Sequence, residues 1–315
     1  MTEANSKWDR GNLAEWLASH SEARKAADAK LLAGIFNLAA SVPQLKEALD
    51  WAKAHDIEFI VDRTVKANGY YRARTGIVAL SANVLKDPAT AVGTVTHEIR
   101  HAWQDWYGML SHPVERFANY FYRIVLIEAD AEAFGARARQ QYALRRQQAE
   151  YSQGLFKLFP RKKRIDKIEK QIEAIQKSPD FLWQAFLGWF HRGRAAVYGT
   201  EAVKNLASAL GVPGVKKQDL NPEFKPFGGR ELPERPVVDF MQDDQLRRLG
   251  KGFSGQNYFN GAARREDLRS IFRPAMAERF YNRKNTPPKL MVEIRKRVLR
   301  QQLEKTGAPV LKLPS

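Results

Sequence analysis

The sequence predicts an α+β, helix-rich fold, and three observations carry that expectation. Apolar residues recur at spacings of three and four along most of the chain, the period of an amphipathic helix. One stretch, residues 57–80, breaks the pattern with short β-rich runs separated by turn residues. The chain has 315 residues and no cysteine, so it is long enough to bury a core and must do so without disulfides or thiolate metal sites.

In chain order, residues 11–54 read as helices. Leu13, Trp16 and Leu17 make one apolar face, and Leu31, Leu32, Ile35, Phe36 and Leu38 a stronger one. Pro43 then opens a helix through Leu45, Leu49 and Ala52. Ile57–Val61 is a candidate strand. Gly69–Ala73 and Ile77–Leu80 flank Arg74-Thr75-Gly76, which suits a hairpin turn with glycine at its end.

Asp87-Pro88 is a helix start, with Asp as N-cap and Pro at the first helical position. Val92, Val95, Ile99, Ala102 and Trp106 follow as a buried stripe, and Gly108 is placed to end the helix. On a neighbouring face lies His97-Glu98-Ile99-Arg100-His101, an H-E-x-x-H pattern. Two imidazoles four residues apart share a face and can bind one zinc ion, while Glu98 can handle the proton of a water. Gly93, one turn before His97, leaves room beside it.

A catalytic zinc site needs a third protein ligand. The longer H-E-x-x-H-x-x-G-x-x-H form is not met, because Gln104 and Tyr107 stand at the Gly and His positions. Pro113 opens a helix running to about Glu150. Its row Phe117, Phe121, Ile124, Glu128, Ala131, Gly135 is apolar except at Glu128. A carboxylate in such a row has to be paired, protonated or metal-bound, since burying it bare costs several kcal/mol. Glu128 is therefore the favoured third ligand. His112 is an alternative, Glu132 shares the Glu128 face, and Asp130 points nearly opposite, towards a partner such as Arg123 or Arg137.

After Tyr151 the character changes. Residues 1–140 hold 17 Lys/Arg and 17 Asp/Glu, so the whole net charge of +17 falls in residues 141–315. Pro160–Arg164 is a basic cluster. Ile165, Ile168, Ile172 and Ile175 form a narrow seam, and Ser178-Pro179-Asp180 starts a helix rich in Phe and Trp. Residues 211–235 are rich in Pro and Gly, and a last helical signal runs from Pro287 to about Lys305. The expected division is thus 1–150, a basic helical extension 151–210, and a Pro/Gly-rich loop with a basic C-terminal region over 211–315. A basic half suggests nucleic acid or another polyanion as partner, through Arg161–Arg164 and Arg295-Lys296-Arg297 among others. No secretory signal or membrane-spanning run is legible, and a cytoplasmic location is the expectation.

Strand hairpin, His97-Glu98-x-Arg100-His101-Ala102-x-Gln104, then Glu128-Ala129-Asp130-Ala131 with Phe134-Gly135: this order resembles the compact gluzincin peptidases of the ImmA/IrrE type. It is also similar to bacterial putative-metallopeptidase domains of unknown function. The resemblance covers roughly residues 55–140. It implies a zincin-like fold, Zn2+, Glu98 as general base and hydrolysis of peptide bonds, with no particular substrate. It further implies that Glu132 holds a ligand histidine, although Glu stands where Asp is usual, and that Ile77–Leu80 is an edge strand that binds substrate backbone. The alternative expectation is a nucleic-acid-associated basic protein whose metal site is structural or non-catalytic.

Overall fold

The computed structural model describes residues 22–110, 117–152, 161–191 and 248–259. The expected helices over 11–21 and 287–305, the Pro113 helix start, His112, the 211–235 stretch and Arg295–Arg297 lie outside these residues. Among the described residues two helices come first, α1 (Glu22–Phe36) and α2 (Pro43–Ala54), joined through a 3-10 turn at Asn37–Ala40. Strands β1 (Glu58–Asp62), β2 (Gly69–Arg72) and β3 (Ile77–Ser81) follow. After a 3-10 turn at Val84–Lys86 come α3 (Pro88–Trp106), α4 (Phe117–Ser152), α5 (Arg161–Lys177) and α6 (Pro179–His191). The chain is helix-rich α+β with one small sheet among the described residues. None of the described helices is long and apolar enough to cross a membrane.

The sheet has the order β1-β3-β2. β3 pairs parallel with β1 and antiparallel with β2. This overturns the expectation that Ile77–Leu80 is an edge strand: it is the central strand, and every residue of it is buried. The reason is legible in its composition. Ile77-Val78-Ala79-Leu80 is a continuous apolar run, the mark of a strand covered on both faces, whereas an edge strand open to solvent shows alternation or polar positions. The β2–β3 turn is where the sequence places it, with Arg74 and Gly76 both at positive φ.

The chain divides into two compact units. The first comprises residues 1–110, 131–185 and 252–256. Its core gathers Ile35, Val42, Leu45 and Ala48 from the N-terminal helices and Val61, Val78 and Leu80 from the sheet. Val92, Val95 and Ile99 of α3 and Ala138 of α4 complete it. The second comprises residues 111–130, 186–251 and 257–315. Its described part is aromatic, with Phe186 edge-on to Phe190 and Phe259.

α3 is capped at both ends as its sequence predicts. The Asp87 carboxylate accepts from the Ala89 N–H at 3.2 Å and from the Thr90 hydroxyl at 2.5 Å. At the other end Gly108, at φ 72, lets its own N–H reach Asp105 O and the Met109 N–H reach Gln104 O, each at 2.8 Å, which satisfies two orphan carbonyls. The buried stripe ends differently from expectation. Val92, Val95, Ile99 and Ala102 are buried, but Trp106 is 62% exposed and Trp103 takes the interior place. Trp106 instead lies edge-on against His55, 4.6 Å between ring centres.

A buried polar network ties α2, α4 and α5 together. Gln141 accepts from the Gln44 N–H at 2.9 Å, filling one of the open donors at the start of α2. Arg137 donates to Gln44 Oε1 and to Gln176 O, and Gln141 donates to Gln176 Oε1. Nearer the surface, Arg145 of α4 pairs with Glu169 of α5. Ile168 and Ile172 of the expected seam are buried beside it.

Hydrogen bonds from Arg145 and then Gln148 hold the Glu169 carboxyl below its ordinary pKa. The folded state therefore binds fewer protons there than the unfolded chain, so the contribution is present above the ordinary glutamate value and fades as pH falls through the lowered one. Glu169→Gln should lower the melting temperature slightly at pH 7, and thermal melts should show that deficit closing in acid. A deficit independent of pH would mean the pair contributes nothing electrostatic.

Candidate metal centre

His97 and His101 stand one turn apart on α3 with their Nε2 atoms 3.0 Å apart and their rings nearly perpendicular. Glu128, on α4, completes a group in which one ligand atom from each residue lies within 4.8 Å of the others. Two nitrogens held about 2.05 Å from a tetrahedral zinc would stand roughly 3.3 Å apart. The histidine pair is close to that already, and two imidazoles plus a carboxylate are a donor set that zinc accepts.

Each histidine has a neighbour at its other nitrogen. Gln104 Oε1 lies 2.8 Å from His101 Nδ1. An amide oxygen accepts, so the proton sits on Nδ1 and Nε2 keeps its lone pair towards the shared point. Glu132 Oε2 lies 3.8 Å from His97 Nδ1, an electrostatic approach rather than a hydrogen bond. The other Glu132 oxygen accepts from Arg139. Arg139 in turn lies across Gly93: a Cβ added there would come within 2.5 Å of its side chain. The room beside Gly93 that the sequence suggests is thus filled by Arg139.

Glu98 is 6% exposed, so its carboxylate is withdrawn from bulk water. Arg100, inside the motif, is fully buried. Its guanidinium carbon lies 3.8 Å from the Trp103 ring centre and 4.1 Å from that of Phe134. This cation–π stack joins α3 to α4. At the exposed end of α3, Asp105 accepts from the Tyr71 hydroxyl at 2.8 Å and the Arg74 N–H at 2.6 Å, which stitches the β-hairpin to the helix. Burial and then the Asp105 bond push the Tyr71 phenol well above its ordinary pKa, so it stays a donor at all ordinary pH.

The structure thus brings His97, His101 and Glu128 together and sets Glu132 against the far side of His97. Asp130 takes a different course: fully buried, it accepts from the Tyr258 hydroxyl at 2.7 Å, a partner no local pattern suggests. The sequence marks Gln104 as a departure from a longer motif and as part of the motif that carries the resemblance, without a role at the site. Its signal was available, since a residue three after His101 shares that face of the helix. Arg139 carries a similar signal, seven residues after Glu132 and so two turns along the same face.

Two measurements test this geometry. Gln104→Leu keeps the volume and removes the acceptor. It should weaken zinc affinity about tenfold or more in competition with a chromophoric chelator, with far-UV circular dichroism unchanged. Gly135→Ala should weaken it more than Gly93→Ala. A Cβ at Gly135 meets the Gly93 backbone oxygen at 2.8 Å, which cannot yield, while the three atoms nearest a Cβ at Gly93 belong to the Arg139 side chain, which can shift. Equal affinities for both variants would remove helix approach as a determinant.

One family description matches, the Putative metallopeptidase family (DUF6782), over residues 10–205. No curated protein and no solved structure matches the chain. The match spans well over half of the sequence and contains the motif helix, Glu128 and every neighbour described above as far as α6. The chain belongs to the Putative metallopeptidase family (DUF6782).

Proposed function

We propose that this protein is a zinc-dependent peptidase of zincin-like architecture, with His97, His101 and Glu128 as metal ligands, Glu98 as general base and Glu132 positioning His97. The single observation that carries the reading is the convergence of the two histidine Nε2 atoms and the Glu128 carboxylate on one point. When bound, zinc supplies Lewis acidity to a carbonyl oxygen and makes water a stronger acid. Glu98, withdrawn from solvent, takes the proton as water attacks the scissile carbonyl and hands it to the departing amine. Gln104, hydrogen-bonded to His101 Nδ1, and Glu132, whose charge lies near His97 Nδ1, favour one orientation of each ring while the proton moves. The substrate is a peptide or protein, and the proposed site residues all lie within residues 1–150. A cytoplasmic location suits a cysteine-free chain.

A second reading is favoured by charge. The excess of Lys and Arg lies wholly beyond residue 140, and Lys162 and Lys163 are exposed in the first turn of α5. Residues 151–315 would then bind nucleic acid or another polyanion, with the metal centre holding helices together rather than cutting. Glu98→Gln separates the two. The peptidase reading expects zinc to be retained and cleavage of a peptide library to fall by about a hundredfold or more. Equal cleavage by wild type and variant would sink Glu98 as the base. Tight, salt-dependent binding of DNA or RNA with no cleavage by either protein would favour the second reading.

A further inference from the structure

Residues 248–259 lie beyond the family match, in a region to which the sequence assigns no chemistry. They form a tight hairpin. Lys251 and Asn257 are bridged, and the Tyr258 N–H returns to Gly250 O at 3.1 Å. Gly250 and Gly255 take positive φ, and a Cβ at Gly250 would strike the Phe259 ring at 1.9 Å, so the hairpin folds back on its own start.

Two of its side chains reach the site-bearing helices. Phe253 lies edge-on to Phe134 of α4, 5.4 Å between ring centres, and 5.5 Å from the Arg100 guanidinium of α3. It also meets Trp51 of α2. It is thus a further aromatic wall around the buried Arg100, the residue immediately before His101. Tyr258, 1% exposed, donates its hydroxyl to the fully buried Asp130. Asp130 stands two residues after Glu128, about 200° round the helix. A tether at the back of a helix sets its rotation, and rotation sets where the front carboxylate points.

We infer that the hairpin Arg248–Phe259 is a positioning element of the candidate metal centre, with Tyr258 setting the rotation of α4 at Glu128 and Phe253 bracing Arg100 of α3. The consequence for metal affinity rests on the metallopeptidase reading; the mechanical role does not.

The test uses the full-length chain. In metal-free protein, hydrogen exchange is followed by mass spectrometry for wild type, Tyr258→Phe, Asp130→Asn and Phe253→Leu. Tyr258→Phe should exchange about tenfold faster over residues 126–132 with β1–β3 unchanged. Asp130→Asn keeps an acceptor for Tyr258 and should stay near wild type there. If Tyr258→Phe does not fold, Phe253→Leu carries the test, with faster exchange expected over 99–104 and an unchanged sheet. No local change in Tyr258→Phe and Phe253→Leu, or an equal rise in helix and sheet, would overturn the inference. In the metal arm, Tyr258→Phe should bind zinc about tenfold more weakly than wild type. Wild type that binds no zinc would sink the metal reading, while the exchange arm would still decide the hairpin's role.

Discussion

The approach of α3 to α4 at Gly93 and Gly135 is the constraint on which the rest of the site depends. The space a Cβ would occupy at Gly135 is taken by the Gly93 backbone oxygen, 2.8 Å away, and by His97 Cβ at 3.5 Å. Interhelical distance is set by the side chains at the contact, and here neither glycine contributes one, although the Arg139 side chain lies across Gly93. Ligand side chains of fixed length can then converge from two helices. On its other face α3 is held by Val92, Val95 and Ile99, which pack into the core with the sheet and α2. The helix is thus fixed from behind by apolar burial, and in front its Gly93 carbonyl occupies the space a Cβ at Gly135 would need.

Charged groups on these helices are each matched by chemistry suited to them, whether buried, as Arg100 and Asp130 are, or partly exposed, as Asp105 and Glu132 are. Arg100 is enclosed by aromatic faces, which attract a guanidinium electrostatically while excluding water. Asp130 has a phenol hydroxyl, Asp105 a phenol and a backbone N–H, and Glu132 the Arg139 guanidinium. Removing one member of such a pair leaves the other unsatisfied at a cost of about 1–3 kcal/mol, more for a charged group. These residues stabilise little in net terms, but they make alternative packings expensive. That suits a site whose ligand atoms must meet to within a fraction of an ångström.

The family match and the structural support do not end at the same place. The match closes at residue 205, inside the basic half, yet Phe253 and Tyr258 are seated against residues of the motif helix and the Glu128 helix. A peptidase domain bounded by its motifs would leave Asp130 without its phenol and Arg100 without one of its aromatic neighbours. The +17 excess is carried by the same half that supplies this hairpin. Basic character and structural support therefore coexist beyond residue 205, and charge alone is a poor guide to where the domain stops.

Local rules sufficed for much of this protein. Asp87-Pro88 and Gly108 bound α3 because capping is a matter of adjacent residues. The two histidines share a face because four residues make one turn. Glu128 stands out because it interrupts an apolar row. Other features were beyond such rules. Trp106 and Trp103 differ little in local signal, and only the position of the core sends one inward and the other into solvent. Strand order is a pairing between distant segments, so β3 had to be seen between β1 and β2, although its unbroken apolar run hinted at burial on both faces. Tyr258 and Asp130 stand 128 positions apart, a separation no periodicity spans. Neighbours along the chain were enough to set the caps of α3 and to nominate His97, His101 and Glu128 as candidate ligands. Only the packing of α3 on α4 brings one potential ligand atom from each within 4.8 Å of the others, because such proximity depends on where helices distant along the chain meet.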